Sequence, residues 1–263
     1  MGCYDALMFV PSKTLNTTLA WVLMLGAFSN AWAEEPAATP YRPTVSNPAA
    51  LSAPGYFELE LGALSAKGGE ARSRNSLPVL VKYAFSENFG VLIGGEPSVA
   101  LTGDDAEKIR GAGDTTLQLK FRHALNDDSA VALEAGFKVA TAKTGLGSGK
   151  TDTLFNGIYS TTLGKYTLDA NLGYTRLGNA NPGESRNGLS WAIAVGRPIN
   201  DTWGVAVELS GAARGGTRLA TQILAALSYN YSRQIIFDGG IAHGLTESVP
   251  NRSLFVGVTV LFK

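Results

Sequence analysis

Few side chains in this sequence are suited to covalent or metal chemistry. It contains two histidines, His123 and His243, and a single cysteine, Cys3, close to the N-terminus. One thiol provides neither a disulfide nor a cysteine-ligated metal site, and two histidines fall short of a multi-histidine metal site. Other serine and histidine pairings could arise only in three dimensions. We therefore predict no catalytic residue, no metal site and no cofactor.

Two further patterns have the residue types of a reactive or ligand-binding site. Residues 145–151, Gly-Leu-Gly-Ser-Gly-Lys-Thr, have the composition of a phosphate-binding loop. The Walker spacing would need a glycine at Thr144, and such a loop joins a strand to a helix. We therefore interpret the run as a flexible hairpin loop. Glu58 and Glu60 would lie about 7 Å apart on one strand face, which suits acid/base chemistry, but we interpret them as charges facing an interior.

The charge composition argues against two broad classes of function. The 22 basic and 22 acidic side chains balance, and charged residues make up 17% of the chain. A nucleic-acid-binding protein typically has a clustered basic excess, and an acidic disordered protein has a large negative charge. No nucleic acid is therefore expected as a partner.

The first 33 residues have the pattern of a signal peptide. Lys13 precedes an apolar run at residues 19–28, and Ala31-Trp32-Ala33 has the small-x-small pattern that signal peptidase recognises. The run is shorter than the about 20 apolar residues that a transmembrane helix needs. We predict cleavage after Ala33, which would leave a mature chain without cysteine.

Beyond residue 54 the sequence alternates between apolar and polar residues with a period of two, which is typical of strands. In the clearest segment, Leu117 and Leu119 alternate with Gln118 and Lys120. Twelve such segments are predicted, at residues 55–64, 75–85, 89–101, 113–125, 130–142, 153–163, 166–177, 188–199, 203–213, 218–231, 234–244 and 253–263.

The connections between these segments alternate in length. Tight turns are predicted at residues 86–88, 126–129, 164–165, 200–202 and 232–233, and longer Gly- and charge-rich loops at 65–74, 102–112, 143–152, 178–187 and 245–252. The short connection 214–217 stands where a long loop is due. Outer-membrane barrels have short periplasmic turns, longer extracellular loops and an even strand number. We predict an all-β fold, an antiparallel transmembrane up-and-down β-barrel of about 12 strands, over residues 55–263.

Aromatic residues favour this barrel over a soluble sandwich or barrel, which the alternation alone would also fit. Phe85, Phe89, Tyr166 and Trp203 flank tight turns, as expected for a girdle at the lipid headgroups. The penultimate Phe262 resembles the signal that the outer-membrane assembly machinery reads. The sequence thus predicts the outer membrane of a Gram-negative bacterium, with outer-membrane lipid and the assembly machinery as partners.

Residues 34–54 precede the predicted barrel and are rich in proline. Five prolines among Ala, Thr and Ser disfavour both helix and strand. A mobile periplasmic linker and a plug that enters the barrel from below are both compatible with this composition. The sequence leaves this choice open.

Four segments together carry a family resemblance. They are Gly111-Ala112-Gly113-Asp114 at the start of the fourth predicted strand, the loop at residues 144–152, the run Asn171-Leu172-Gly173-Tyr174, and the last strand ending in Phe262. They resemble the phenol-degradation MetA-pathway family of outer-membrane barrel transporters, and the similarity spans nearly the whole mature chain. The resemblance implies passage of aromatic or other hydrophobic compounds across the outer membrane, and it brings no catalytic residues.

Because side chains alternate between the two faces of a strand, one set of them is assigned to the lumen, where they would line a solute pathway. The polar ones are Glu58, Glu60, Lys82, Glu96, Asp114, Gln118, Lys120, Arg122, Glu134, Lys138, Asn156, Asp169, Asn171, Glu208, Gln222 and Asp238. Both signs occur on adjacent strands, so these side chains could instead form a ladder of ion pairs that fills the interior. Apolar residues mixed among them, including Leu80, Leu154 and Phe255, favour a hydrophobic solute over an ion.

The sequence favours passive passage or binding of small hydrophobic or aromatic compounds, without enzymatic activity. One alternative is a lipid-modifying hydrolase that uses His123 or His243. An outer-membrane phospholipase would carry a serine two residues after its histidine, whereas Leu125 and Leu245 stand there. A structural or adhesive barrel with a filled lumen is the second alternative.

Overall fold

A computed structural model of the chain describes residues 35–69, 71–103 and 107–263, so the predicted signal peptide lies outside the described residues. The chain divides into Met1–Glu35 and Pro36–Lys263, and the strands of the described residues belong to the second unit. Among the described residues, no helix is long and apolar enough to cross a bilayer. The strands are β1 (Phe57–Lys67), β2 (Ser73–Ala84), β3 (Phe89–Thr102), β4 (Lys108–Gly111), β5 (Thr115–Ala124), β6 (Ser129–Val139), β7 (Asp152–Leu163), β8 (Tyr166–Arg176), β9 (Asn187–Pro198), β10 (Trp203–Arg214), β11 (Ala220–Asn230), β12 (Ile235–Gly244) and β13 (Arg252–Phe262).

Twelve of these strands close into an antiparallel barrel, which confirms the predicted fold. Neighbours in sequence pair with one another, except that β3 pairs with β5 past the short β4. The ladder between β1 and β13, from Phe57 with Phe262 to Lys67 with Arg252, completes the closure. Closure is required in lipid because unpaired backbone N–H and C=O groups at a sheet edge have no water to bind.

Strand β4 corrects one of the predicted loops. The sequence predicts an irregular loop at residues 102–112, but Lys108–Gly111 pairs with Val99–Thr102 of β3. The ladder between β3 and β5 ends at Gly95 with Thr115. The end of β3 beyond that point therefore has backbone groups available for a hairpin with β4.

The two faces of the strands have different surroundings. Outward residues of β5 such as Leu119 and Phe121 are more than half exposed, at 52% and 56%, whereas inward Lys120 is completely buried. A soluble protein would place its leucines inside and its lysines outside. The reverse arrangement is the one expected for a barrel with lipid outside and a polar interior.

Aromatic rings gather at the end of the barrel with short turns. Phe57 packs against Tyr83 and Phe262, with centroid separations of 4.8 and 6.0 Å, and Trp203 packs against Tyr229 at 5.0 Å. Aromatic girdles lie at the membrane interfaces, and short turns lie on the periplasmic side of outer-membrane barrels. We therefore call this the short-turn end and the opposite one the loop end.

Candidate functional site

Residues 36–54, which we name the lumenal arm, lie inside the barrel. The arm starts at the short-turn end, where Ala38 N donates to Arg233 O (2.8 Å), and returns there, where Gly55 N donates to Ala84 O (2.9 Å). Between these points Tyr41 and Ala49 are buried, at 4% and 0% exposure. The arm has no regular secondary structure, so its buried backbone groups need partners on the barrel wall.

Carboxylates of the wall accept hydrogen bonds from the arm backbone. The bonds run from Thr39 N to Glu58 (3.1 Å), from Tyr41 N (2.8 Å) and Arg42 N (3.1 Å) to Glu60, and from Val45 N and Ser46 N to Glu208 Oε2 (both 2.8 Å). Hydrogen bonds with one ionised partner are stronger than neutral ones. Glu58 and Glu60, whose spacing also suited acid/base chemistry, thus hold the arm in place.

Two lysines pair with these carboxylates and contact Tyr41 of the arm. Lys82 Nζ lies 2.8 Å from Glu58 Oε1 and 2.5 Å from Glu60 Oε1, and Lys120 Nζ lies 3.1 Å from Glu134 Oε1. The two ammonium groups are 3.8 and 4.2 Å from the centroid of the Tyr41 ring, within the range of cation–π contact.

The Tyr41 hydroxyl completes this buried cluster. It accepts a hydrogen bond from Lys120 Nζ (2.6 Å) and donates to Ala50 O (3.3 Å). Burial, followed by the charges of Glu134, Glu60 and Glu58, raises the pKa of the Tyr41 phenol well above its ordinary value. The phenol therefore keeps its proton, which the bond to Ala50 O requires.

Arg42 anchors the arm to a second part of the wall. Its Nε and Nη2 donate to Asp238 Oδ2 and Oδ1 (3.1 and 3.0 Å), and Nη2 also reaches Val256 O (3.1 Å). The guanidinium lies against Gly62 and Gly257, which are paired in register. A Cβ atom at either glycine would come within 2.4 Å of it. The two glycines thus provide the space for this bidentate pair.

An amide network holds the central part of the arm. Asn47 N donates to Asn171 Oδ1 and Asn171 Nδ2 donates to Asn47 O, both at 2.9 Å. Asn47 Nδ2 donates to Glu134 Oε2 (2.8 Å), and Asn156 Nδ2 reaches the same oxygen and Asn171 Oδ1 (both 3.0 Å). The arm is therefore fixed to the wall on several sides of the barrel.

A chamber of ≈ 400 Å³ lies between the arm and the loop end. Its wall mixes apolar and uncharged polar side chains, with Glu134 at its edge. The lining includes Val45, Asn47, Gln118, Leu154, Asn156, Asn171, Ser190, Ala192, Ser210, Ala212, Ala220, Gln222 and Val249. Sites of this size that combine apolar surface with a few polar groups suit small organic molecules.

A second cavity of ≈ 270 Å³ lies toward the short-turn end, beside Pro43, Ala206 and Ser228. Arm residues 43–46 lie between the two cavities, because Pro43 lines the lower cavity, at the short-turn end, and Val45 lines the chamber above it. Glu208, which binds this part of the arm, is 2% exposed. The arm therefore separates the two cavities at the level of Glu208.

Ion pairs also cluster at the loop end. Lys138 Nζ lies 2.9 Å from Asp114 Oδ2 and 2.7 Å from Asp152 Oδ2, and Arg74 pairs with Glu96. Burial acts to raise the pKa of Asp114, but hydrogen bonds from Lys138 and Ala142 N hold it below its usual range. Asp114 ends the Gly111–Asp114 run of the family resemblance and binds the hairpin loop that follows β6.

The predicted lumenal residues fall into three main groups. Those in contact with the arm are Glu58, Glu60, Lys82, Lys120, Glu134, Asn171, Glu208 and Asp238; Gln118, Asn156 and Gln222 line the chamber; Glu96, Asp114 and Lys138 lie at the loop end. Asp169 binds Ser160, and Arg122 lies at the short-turn end, opposite Ala132. That a solute passes along these side chains stays a prediction.

The arm residues Tyr41, Arg42 and Asn47 were not among the predicted site residues. Irregular backbone has no periodicity, so the pattern could not assign their positions. The available signal was composition, because an aromatic and a cation stand adjacent in a segment otherwise rich in Pro, Ala and Thr.

Neither histidine is part of this site. Both are exposed, and His243 Nδ1 lies 2.6 Å from the backbone oxygen of Asn251. Within residues 35–69, 71–103 and 107–263, no three His, Cys, Asp or Glu side chains are placed to hold one metal ion.

A sequence profile of the family described as "Putative MetA-pathway of phenol degradation" matches residues 61–262, which is most of the chain. The chain belongs to this family. The predicted family resemblance is thereby confirmed. No curated protein matches the chain in sequence.

Solved structures similar to this family member are outer-membrane channels. The COG4313 outer membrane channel from Pseudomonas putida F1 aligns with a TM-score of 0.64 and 13% identity, over 84% of this chain and 100% of that one. The NanC porin aligns with a TM-score of 0.57 and 12% identity, over 78% of this chain and 99% of that one. The CymD monoaromatic hydrocarbon channel aligns with a TM-score of 0.50 and 9% identity, over 80% of this chain and 89% of that one. At these identities the likeness shows the fold, which is that of bacterial outer-membrane channels.

Proposed function

We propose that the protein is a channel of the Gram-negative outer membrane through which small hydrophobic or aromatic compounds pass passively. Membership in a family described by phenol degradation and the likeness to a barrel named as a monoaromatic hydrocarbon channel support this solute class. The observation that carries the proposal is the ≈ 400 Å³ chamber inside the barrel. We also propose that the signal peptide is removed before assembly.

The lining of the chamber supports a solute with an apolar body and few polar groups. Leu154, Ala192 and Ala212 offer apolar contact, while Gln118 and Gln222 offer amide donors and acceptors. A phenol-like molecule could place its ring against the former and its hydroxyl near the latter. Such a molecule gains from leaving water, and the amides compensate its polar group.

The lumenal arm acts as a plug in this proposal. Passage from the chamber to the lower cavity requires residues 43–46 to leave Glu208. The hydrogen bonds from Val45 N and Ser46 N to Glu208 Oε2 must break for the path to open.

Blocking the chamber tests the proposed path. Ala212 lies inside the chamber, whereas Ala213 is the next residue of β10 and points outward. In intact cells, entry of the apolar fluorescent probe N-phenyl-1-naphthylamine should be faster with the wild type than without the protein. Ala212→Trp should return entry to the rate of cells without the protein, and Ala213→Trp should keep the wild-type rate.

Equal amounts of folded barrel in the outer membrane are confirmed first, from the heat-dependent shift of the band on gels. Rapid entry through Ala212→Trp at matched amounts would show that solute does not cross this chamber.

A further inference from the structure

Three basic side chains form a row on the outer surface at the loop end. Lys67 of β1 is paired in register with Arg252 of β13, and the pairing of Ala242 with Ser253 places His243 of β12 beside Arg252. The row faces outward, because Leu254 and Ile241, two residues further into β13 and β12, are more than half exposed on the lipid side.

Among the residues that the structure describes, no carboxylate is paired in register with this row. On the other side of Lys67, the residues paired in register are the uncharged Ser73 of β2 and Thr102 of β3, followed by Lys108 of β4. Among the ion pairs of the described residues, none involves Lys67 or Arg252, and both side chains are exposed. His243 contacts Asn251 O through Nδ1 alone. The loop-end rim of β1 and β13 therefore presents two adjacent cations, Lys67 and Arg252, to anionic groups.

An apolar groove of ≈ 960 Å³ begins directly below this basic row. Small residues form its floor, among them Ala63 and Ser65 of β1 and Gly239 of β12, and larger residues such as Leu254 and Ile241 rise beside them. Ser65 lies two residues below Lys67 on the same face, so the groove and the basic row are continuous. The combined surface suits an amphiphile with an anionic head and several acyl chains.

We propose that this surface binds a phosphorylated acyl lipid of the outer leaflet, the lipid A part of lipopolysaccharide. Its phosphates accept hydrogen bonds from Lys67 and Arg252, and its acyl chains lie in the groove below. Two cations beside one phosphorylated headgroup each contribute attraction of the order seen for basic residues at anionic membrane surfaces. The proposal rests on the outer-membrane location in the proposed function, and solute passage is not required for it.

Native mass spectrometry of the detergent-purified barrel with bisphosphorylated lipid A tests the site. The wild type should retain a bound lipid A. Lys67→Ala with Arg252→Ala should weaken binding about twenty-five-fold, fivefold for each charge. Arg176→Ala is the matched control, because Arg176 is an exposed residue at the loop end of β8, outside the row. The affinity of this control variant for lipid A should stay within about twofold of the wild-type affinity.

Dephosphorylated lipid A tests the role of the phosphates on the wild-type protein. Its binding to the wild type should be as weak as the binding of bisphosphorylated lipid A to the double variant. Equal binding of the two lipids by the wild type would overturn the proposal. So would a double variant that binds like the wild type, or an equal loss in Arg176→Ala. Ala212→Trp should bind lipid A normally, so a failed channel and a failed lipid site give different results.

Discussion

Ionised side chains of the interior mainly bind the main chain of the lumenal arm. Lys82 lies between Glu58 and Glu60 and donates to Thr39 O (2.6 Å). Burial removes water from these ions at a cost in free energy. The attraction between them offsets that cost only when their remaining donors and acceptors also have hydrogen-bond partners. Here the backbone of the arm provides those partners. The charge ladder that the sequence allowed as a filled interior is thus also the binding surface for the arm.

Loss of Lys82 should therefore destabilise the barrel strongly. Lys82→Met leaves two buried carboxylates without their cation, and we expect the free energy of unfolding to fall by about 3 kcal/mol. Urea titration in detergent micelles, followed by tryptophan fluorescence, measures this. Lys165→Met in the exposed turn after β7 is the control and should have little effect. Adding Glu58→Gln and Glu60→Gln to Lys82→Met should recover part of the loss; no recovery would contradict this account of the cluster.

The strands could be predicted from the sequence, whereas the position of the arm could not. Period-two alternation follows from backbone geometry, so each of the twelve predicted segments overlaps one strand of the barrel. β4 escaped because Lys-Ile-Arg-Gly is too short to alternate visibly, and β6 ends at Val139 instead of residue 142, where the chain turns to bind Asp114. The arm is held partly through backbone N–H and C=O groups, which carry no sequence signal, and partly through the side chains of Tyr41, Arg42 and Asn47. These three side chains follow no period, so the position of the arm left no periodic pattern in the sequence.

Movement of the arm can be tested by tying it to the wall. The Asn171 side chain exchanges two hydrogen bonds of 2.9 Å with the backbone of Asn47, so the two residues are neighbours. We expect Asn47→Cys with Asn171→Cys to form a disulfide that fixes the arm to β8. Oxidised cells should show slow entry of N-phenyl-1-naphthylamine, and a reductant should restore the wild-type rate. Each single cysteine variant should remain fast under both conditions.

The disulfide itself is verified by mass spectrometry before entry is compared. Fast entry with the bond in place would mean that solute passes beside a stationary arm.

The alternation of side chains separates two environments, one on each side of the closed barrel wall. A one-residue slip would exchange them, because side chains of a strand alternate between faces. The sequence could assign polar residues to the interior for this reason. It could not show that Lys120 and Glu134 are covered by the arm while Gln118 faces the chamber, because that difference depends on the path of a segment without periodicity.

A pair of lysine substitutions tests the assignment of the two faces. Leu133 lies on the outer face of β6 and is 50% exposed, whereas Gln118 of β5 lines the chamber. Leu133→Lys should lower the free energy of unfolding from lipid bilayers by about 2–4 kcal/mol, because a lysine on the lipid face near the midplane loses its hydration. Gln118→Lys keeps its ammonium in a polar lumen and should change stability little. Denaturant titration of both variants in the same vesicles measures the difference in the free energy of unfolding. An equal loss of stability in the two variants would mean that both faces meet the same environment. A membrane barrel with a polar interior does not allow that result.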